Sequence, residues 1–374
     1  MATTQSYREA LEGVVRDAVA PNAPAADAGH FPRPAIDALG RAGLLGLVSS
    51  ADVGGLGGSY GEAAAAVEQV ARSCGSTALI LTMHLCAAAV IEAHGNLETR
   101  RAIAAGRHLS TLAFSEAGSR SQFWVPLSTA AADGSRVRLD ARKSWVTSAA
   151  EADSYVWSSR PLAAEGLSTL WLVPGGARGL EVSGGFDGLG LRGNASRPMV
   201  ADGVAVAPEA RLGPDGGGFD VMMGTVLPWF QVLTAAASVG LMEAATERTA
   251  AYVAATRLEH LHQTLADQPM TRSHVARMRI ATDQARSLLL DTVSALDRGR
   301  GDAQLRVLEV KAAAAEAALL VTDLAMRVCG GSAYRKEVGV ERIFRDARAA
   351  TVMAPTTDAL HDFIGRAVCG LPLF

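Results

Sequence analysis

Apolar and polar positions follow two different rhythms along this chain. Up to about residue 110, and again from "GGGFDVMM" at 216 onward, apolar residues recur every three to four positions, the spacing of helices with one buried face. Between about 111 and 212 the runs shorten: "STLAFSEAG", "RVRLDARKSWVTSAA", "SYVWSSR", "LSTLWLVPG" and "RPMVADGVAVAPEARLG" are β-rich segments punctuated by Gly, Pro and Asp. The pattern predicts an N-terminal helical domain over 1–110, a middle β-barrel or sandwich over 111–212 and a C-terminal four-helix bundle over 213–374. The fold class is α+β, mainly α. The long helical stretches fall at 232–256, 272–297 and 303–328, with the polar link "DRGRGD" at 297–302 between two of them.

Composition narrows this picture. The 374 residues are 49% hydrophobic and 20% charged with a net charge of −3, so neither nucleic acid nor an anionic membrane is an expected partner. The four cysteines, Cys74, Cys86, Cys329 and Cys369, lack metal-type spacing, and their low density fits a reduced cytoplasm. "MATTQSYREALEGVV" has no apolar signal core, and the most apolar run, Thr77 to Ile91, reads as a buried helix rather than a membrane span.

Two motifs invite over-reading. "GLGLRG", Gly188 to Gly193, satisfies the glycine-rich dinucleotide pattern but lacks the strand before it and the helix after it, so it reads as a turn. "HLH" at His260 to His262 places two imidazoles two apart; on a helix these diverge, and no acidic or cysteine cluster accompanies them, so no metal site is expected.

Other segments, taken in order, resemble the acyl-CoA dehydrogenase superfamily nearly end to end. "DVGGLGGSYGE" resembles a Tyr-Gly-Gly-Leu-Gly turn, and "LAFSEAGSRSQ" resembles a strand of form Leu-Thr-Glu-Pro-x-Ala-Gly-Ser-Asp. "RKSWVTSAAEAD" is similar to Lys-x-Trp-Ile-Thr-Asn-x-x-x-Ala-Asp. "VCGGSAY" and "VERIFRDAR" match Leu-Gly-Gly-x-Gly-Tyr and Val-Glu-Arg-x-x-Arg-Asp-Ala-Lys. The resemblance implies FAD between the β domain and the C-terminal bundle, its adenosine end reaching a neighbouring subunit of a homodimer or homotetramer. Phe114 and Ser115 fall where the family lays backbone and hydroxyl against the flavin, and Trp145 and Thr147 where Trp and Thr flank it. Arg257 falls where an arginine meets FAD phosphate across an interface. Gly330 and Gly331 match glycines at the pyrophosphate, with Arg327 in place of a glutamine; bare N–H groups and guanidinium charge suit that anion. Arg120 replaces a small glycine before Ser121, which makes both candidates for substrate contact. Glu116 matches a structural glutamate.

The departure from the family lies in the chemistry. Family members remove the α-proton of an acyl thioester with a glutamate in a Tyr-Glu-Gly-Thr-Asn-Glu segment; here that stretch reads Met353-Ala354-Pro355-Thr356-Thr357-Asp358. A second group carries the base on the helix opening the bundle, where the nearest residue here is Phe230, and an arginine common there is absent, with Gln231 closest. Pro228 is expected to kink that helix. Asp358 and His361 are the remaining weak candidates for a base. The implied activity is FAD-dependent oxidation of a small acyl unit tethered to CoA or an acyl-carrier protein, in a specialised biosynthetic pathway, with an electron-transfer flavoprotein or O2 as acceptor. The alternative is a flavin-dependent monooxygenase of the same fold, which needs no such glutamate.

Overall fold

The computed structural model describes residues 4–119 and 122–373. Helices α1 (Thr4–Val14), α2 (Ala20–Asp27), α3 (Arg33–Arg41), α4 (Tyr60–Ala71), α5 (Gly75–His94) and α6 (Leu97–Ala104) form the first layer. Ser59 starts α4 with a full capping box: its hydroxyl accepts from the Glu62 N–H while the Glu62 carboxylate returns to the Ser59 N–H. α5 is apolar around its whole circumference and is buried as the core helix of this layer. Its buried imidazole, His84, donates from Nε2 to the Leu45 carbonyl at 2.8 Å and accepts the Ser110 N–H on Nδ1 at 3.0 Å. Burial pushes His84 down to about 4, so it stays neutral and pins the first strand to α5.

The middle region holds two sheets. β1 (Ser110–Ala113) runs parallel to β4 (Ser154–Ser159), which pairs antiparallel with β5 (Thr169–Pro174). β2 (Thr129–Asp133), β3 (Arg136–Val146), β6 (Leu180–Val182) and β7 (Arg197–Val206) form an antiparallel sheet in the order β2-β3-β7-β6. β3 alternates buried and exposed residues along its first half, as a strand with one packed face must. A bridge between Glu116 and Lys143 joins the end of β1 to β3.

From Gly218 the chain is helical: α7 (Gly218–Val221), α8 (Leu227–Ala255), a short hairpin of β8 (Arg257–Leu258) and β9 (Gln263–Thr264), α9 (Pro269–Asp297) and α10 (Ala303–Cys329). α11 (Val340–Ala347), α12 (Ala349–Val352) and α13 (Thr357–Val368) close it. The link 297–302 does separate α9 from α10, and α8 packs most extensively on α10. α5 and the Gly218–Ala255 run are long and apolar enough to cross a membrane, yet most of each is buried inside the fold.

One expectation is refined and one needs correcting. At Pro228 the helix is distorted but not broken: a π-helical turn over Met222–Val226 immediately precedes it, within a helical run that continues from Gly218 to Ala255. His260 lies in a 3-10 turn inside the β8–β9 hairpin rather than on an α-helix, and His262 follows it in the left-handed region at φ 51°. "GLGLRG" is a loop ending in a 3-10 turn, and no helix opens from it. Its glycines permit close approach: a Cβ on Gly190 would lie 2.3 Å from the Arg345 carbonyl oxygen, and one on Gly193 2.8 Å from Ala26.

Candidate functional site

At the end of β1 the chain passes Phe114 and Ser115. The Phe114 side chain is buried, its ring 6.3 Å from that of Phe123 and nearly parallel to it, which leaves only its backbone for a ligand. Ser115 is half-buried; its carbonyl accepts the Ser144 N–H at 2.8 Å, and its hydroxyl has no hydrogen-bond partner among the described residues. That backbone bond sets Ser115 beside Trp145, one residue along β3. Trp145 sits at φ 57° with 69% of its surface exposed, touched edge-on by Phe186 at 6.4 Å. An indole held outward in a left-handed conformation signals a missing partner, since bulky residues seldom adopt that region and large aromatics seldom stay in water. Thr147 is buried, and its hydroxyl pairs with that of Ser196 at 3.1 Å.

Beneath this rim lies a buried ion pair. Lys143 donates to Glu116 Oε1 at 2.6 Å, to the Ser158 carbonyl at 2.8 Å and to the Ser158 hydroxyl at 2.9 Å. Glu116 also accepts the Leu127 N–H and the Ser128 hydroxyl. Burial alone would raise the Glu116 carboxyl, but Lys143 and these donors outweigh it and hold it below the usual carboxylate range. Burial pushes Lys143 down to about 8 against the pull of Glu116. With every oxygen committed, Glu116 is a strut for the strand carrying Ser115 and not a free base.

The α12–α13 turn puts a methyl group where a carboxylate was sought. Ala354 is half-buried and packs against the main core. Asp358 and His361 both lie on the exposed side of α13, His361 3.4 Å from Glu316, so neither reaches the interior. Thr356 caps α13 through the Ala359 N–H. Sequence reading missed the titratable group that is present. Lys311, fully buried on α10, donates from Nζ to the Met353 carbonyl at 2.8 Å and the Pro355 carbonyl at 2.6 Å, the residues flanking Ala354. The same Nζ lies 5.8 Å from the centroid of the Phe230 ring. Burial, with no acid beside it, pushes Lys311 down to about 7. Its only sequence signal was a lone lysine in "VLEVKAAAA".

A cavity of about 280 Å³ opens beside this turn. Gly224, Leu227 and Pro228 line it from the start of α8, Gln304, Val307 and Leu308 from the start of α10, and Trp124, Phe363 and Pro355 close it. Its lining holds no carboxylate among the described residues.

The remaining candidates gather elsewhere. Arg257 lies in the β8–β9 hairpin, exposed, with Glu259 3.8 Å away. Arg327 is exposed on the last turn of α10, followed by exposed Gly330 and Gly331. Gly330 adopts φ 57°, ψ −139°, a conformation that suits only glycine, and a Cβ on either glycine would meet nothing within 4 Å. The Tyr252 hydroxyl donates to that of Ser332 at 2.8 Å, tying the end of α8 to this glycine turn. Phe230 and Tyr252 are separated along α8 by roughly 33 Å, so the arginine–glycine group and the Ala354 turn occupy opposite ends of the bundle. Arg120 and Ser121 lie outside the described residues.

A β domain set on a helical bundle, with an outward aromatic, an unpaired hydroxyl and a glycine turn bare of side chains, is the framework of a cofactor-dependent oxidoreductase. Residues 1–106, 111–204 and 216–369 match, in turn, the acyl-CoA dehydrogenase N-terminal, middle and C-terminal domains. The chain belongs to the acyl-CoA dehydrogenase family and is an FAD-dependent oxidoreductase. It is 28% identical over 373 residues to the mitochondrial short-chain specific acyl-CoA dehydrogenase of Bos taurus, covering 95% of this chain and 87% of that one. It is 29% identical over 340 residues to the L-prolyl-[peptidyl-carrier protein] dehydrogenase of Pseudomonas fluorescens, covering 87% and 88%. Its fold superposes on butyryl-CoA dehydrogenase from Megasphaera elsdenii with a TM-score of 0.91 at 22% identity, over 98% of each chain.

Proposed function

We propose that this enzyme oxidises a small acyl unit, tethered as a thioester to CoA or to a carrier protein, whose leaving proton comes from a heteroatom rather than from the α-carbon. The observation that carries this reading is the methyl group of Ala354 in the α12–α13 turn, beside a cavity whose described lining holds no carboxylate. An α-carbon proton is weakly acidic and needs a positioned base. A hydroxyl or ammonium proton does not, because it can pass to water as hydride leaves the adjoining carbon and a C=O or C=N bond forms. The likeness to a dehydrogenase of a prolyl group on a peptidyl-carrier protein supports substrates of this kind.

Bound FAD supplies the two-electron acceptor. Of this chain's residues, Trp145 would cover the ring, the free Ser115 hydroxyl would bond to its edge, and the Thr147–Ser196 hydroxyl pair would lie alongside. The Lys143–Glu116 strut holds the strands beneath them in place. Arg257, Arg327, Gly330 and Gly331 would meet the phosphates of FAD with guanidinium charge and bare N–H groups, and the family resemblance supports Arg257 doing so across the interface of a homo-oligomer. The natural setting of such an enzyme is the cytoplasm, with an electron-transfer flavoprotein or O2 taking the electrons on.

The test is to mix oxidised holoprotein anaerobically with hydroxyacyl and aminoacyl thioesters on CoA and on a carrier protein. Loss of flavin absorbance with members of this set is expected. A flavin that stays oxidised with all of them overturns the reading.

A further inference from the structure

A second cavity, of about 380 Å³, lies between α2, α8 and the start of α11. Ala20, Ala23 and Pro24 of α2 give it an apolar wall, and three cations share the lining: Arg248 of α8, Lys336 of the loop before α11, and Arg342 of α11. Two carboxylates border it as well, Asp27 and Glu341, but Arg345 already holds both, at 2.8 Å and 2.7 Å. The three lining cations have no carboxylate of their own among the described residues. Arg342 donates to the Ser73 carbonyl at 3.0 Å, and Arg248 and Lys336 make no hydrogen bond or ion pair there. Gly339 makes room for the Arg248 guanidinium: it sits at φ 73°, and a Cβ at this position would overlap Arg248 Nη1. Arg248 is half-buried, and burial together with the Arg342 charge pulls it below the usual arginine range. A guanidinium stays charged in proteins, so the fold holds two like charges in each other's field with no internal counter-charge to spare. An anion in the cavity would relieve that repulsion.

We propose that this cavity binds a phosphoryl dianion, free or carried by a small metabolite, with Arg248, Arg342 and Lys336 taking its oxygens and the Ala20–Pro24 face of α2 meeting the body of the molecule. Guanidinium forks match phosphate oxygens two at a time, and three cations suit a dianion better than a single carboxylate. The volume falls within the range of small-molecule pockets, about 300–1,000 Å³, and is more than a bare phosphate ion fills. The site shares no lining residue with the cavity beside the Ala354 turn, and none of the residues assigned above to FAD lines it. It is therefore a third site, for neither the acyl group nor the flavin.

The experiment titrates FAD-saturated holoprotein with inorganic phosphate and with glycerol 3-phosphate, read by calorimetry and by melting temperature, with sodium chloride at matched ionic strength as the control. Wild type is expected to bind the phosphoryl probes and to melt higher in their presence. Arg248→Glu, which supplies the carboxylate that Arg342 lacks, should bind them at least roughly tenfold more weakly and melt at or above wild type without phosphate. Arg342→Gln reads the same loss of binding should the first variant fail to fold. Glycerol 3-phosphate binding tighter than phosphate supports an esterified ligand, and equal binding supports the free ion. No response in wild type, an equal response in both variants, or a chloride control that reproduces it overturns the inference. Release of FAD on adding phosphate also overturns it, because the anion would then be acting at the cofactor's own phosphate contacts.

Discussion

Lys311 Nζ donates to the Pro355 carbonyl at 2.6 Å from a position with no exposed surface, so a helix of the bundle is tied to the backbone of the turn that carries Ala354. The matching bond to the Met353 carbonyl makes the tie two-pronged. Lys311→Met keeps the stem and removes both bonds, leaving two carbonyls without their donor. The expected loss is roughly 2–6 kcal/mol of stability, at about 1–3 kcal/mol per unpaired buried group, measured by denaturant unfolding. A loss below 1 kcal/mol would show that the turn holds itself.

Lys311 also sets a pH dependence. Its folded value of about 7 lies below the unfolded 10.5. Between these values the unfolded chain binds the extra proton, so stability contributed by this group rises with pH from about 7 toward 10.5. Below about 7 both states are protonated and the penalty is fully present. The difference in unfolding free energy between wild type and Lys311→Met should therefore grow across that window by up to about 1.4 kcal/mol per pH unit and stay flat below it. Lys143 titrates in part of the same window but is common to both proteins and cancels.

The Lys143–Glu116 pair makes a sharper prediction about the strand that carries Ser115. Glu116→Gln leaves a buried ammonium without its counter-charge and should cost about 3–5 kcal/mol. The double variant Glu116→Gln with Lys143→Met should recover a good part of that loss. Equal stability of the single and double variants would mean that the pair is not coupled.

Trp145 reports on the cofactor. Its exposed indole should lose fluorescence when FAD is added to apoprotein, and Trp145→Ala should weaken FAD by about tenfold at most, the worth of one aromatic stacking contact. Unchanged fluorescence on FAD binding would place the ring elsewhere.

Much of this was legible in the chain. The switch of apolar period near residues 110 and 212 marked where helices give way to strands and back, because a buried face must repeat at 3.6 or at 2. Ser115, Trp145 and Thr147 were named from the resemblance alone, and the fold brings the first beside the others because the Ser115 carbonyl accepts the Ser144 N–H. Lys311 was not legible: forty-two residues separate it from Met353, and a lysine in an alanine-rich helix reads as solvated until packing buries it. Gln231 was noted only as a stand-in for a missing arginine; its unpaired amide shows only once its neighbours are in place. The distortion expected at Pro228 takes the form of a π-turn immediately before it, which makes room for the ring that an α-helix would not. Asp358 and His361 kept the right spacing from Ala354 and are both exposed on α13, which spacing alone does not show.

The most direct test of the central claim, that this site works without a carboxylate at its turn, is the single-turnover rate of flavin bleaching by butyryl-CoA in wild type and in Ala354→Glu. A positioned base contributes about 10²–10⁴-fold, so the wild type should bleach at least 100-fold more slowly than the variant. Wild-type bleaching as fast as the variant's would show that another group already takes the α-proton, and would contradict the account.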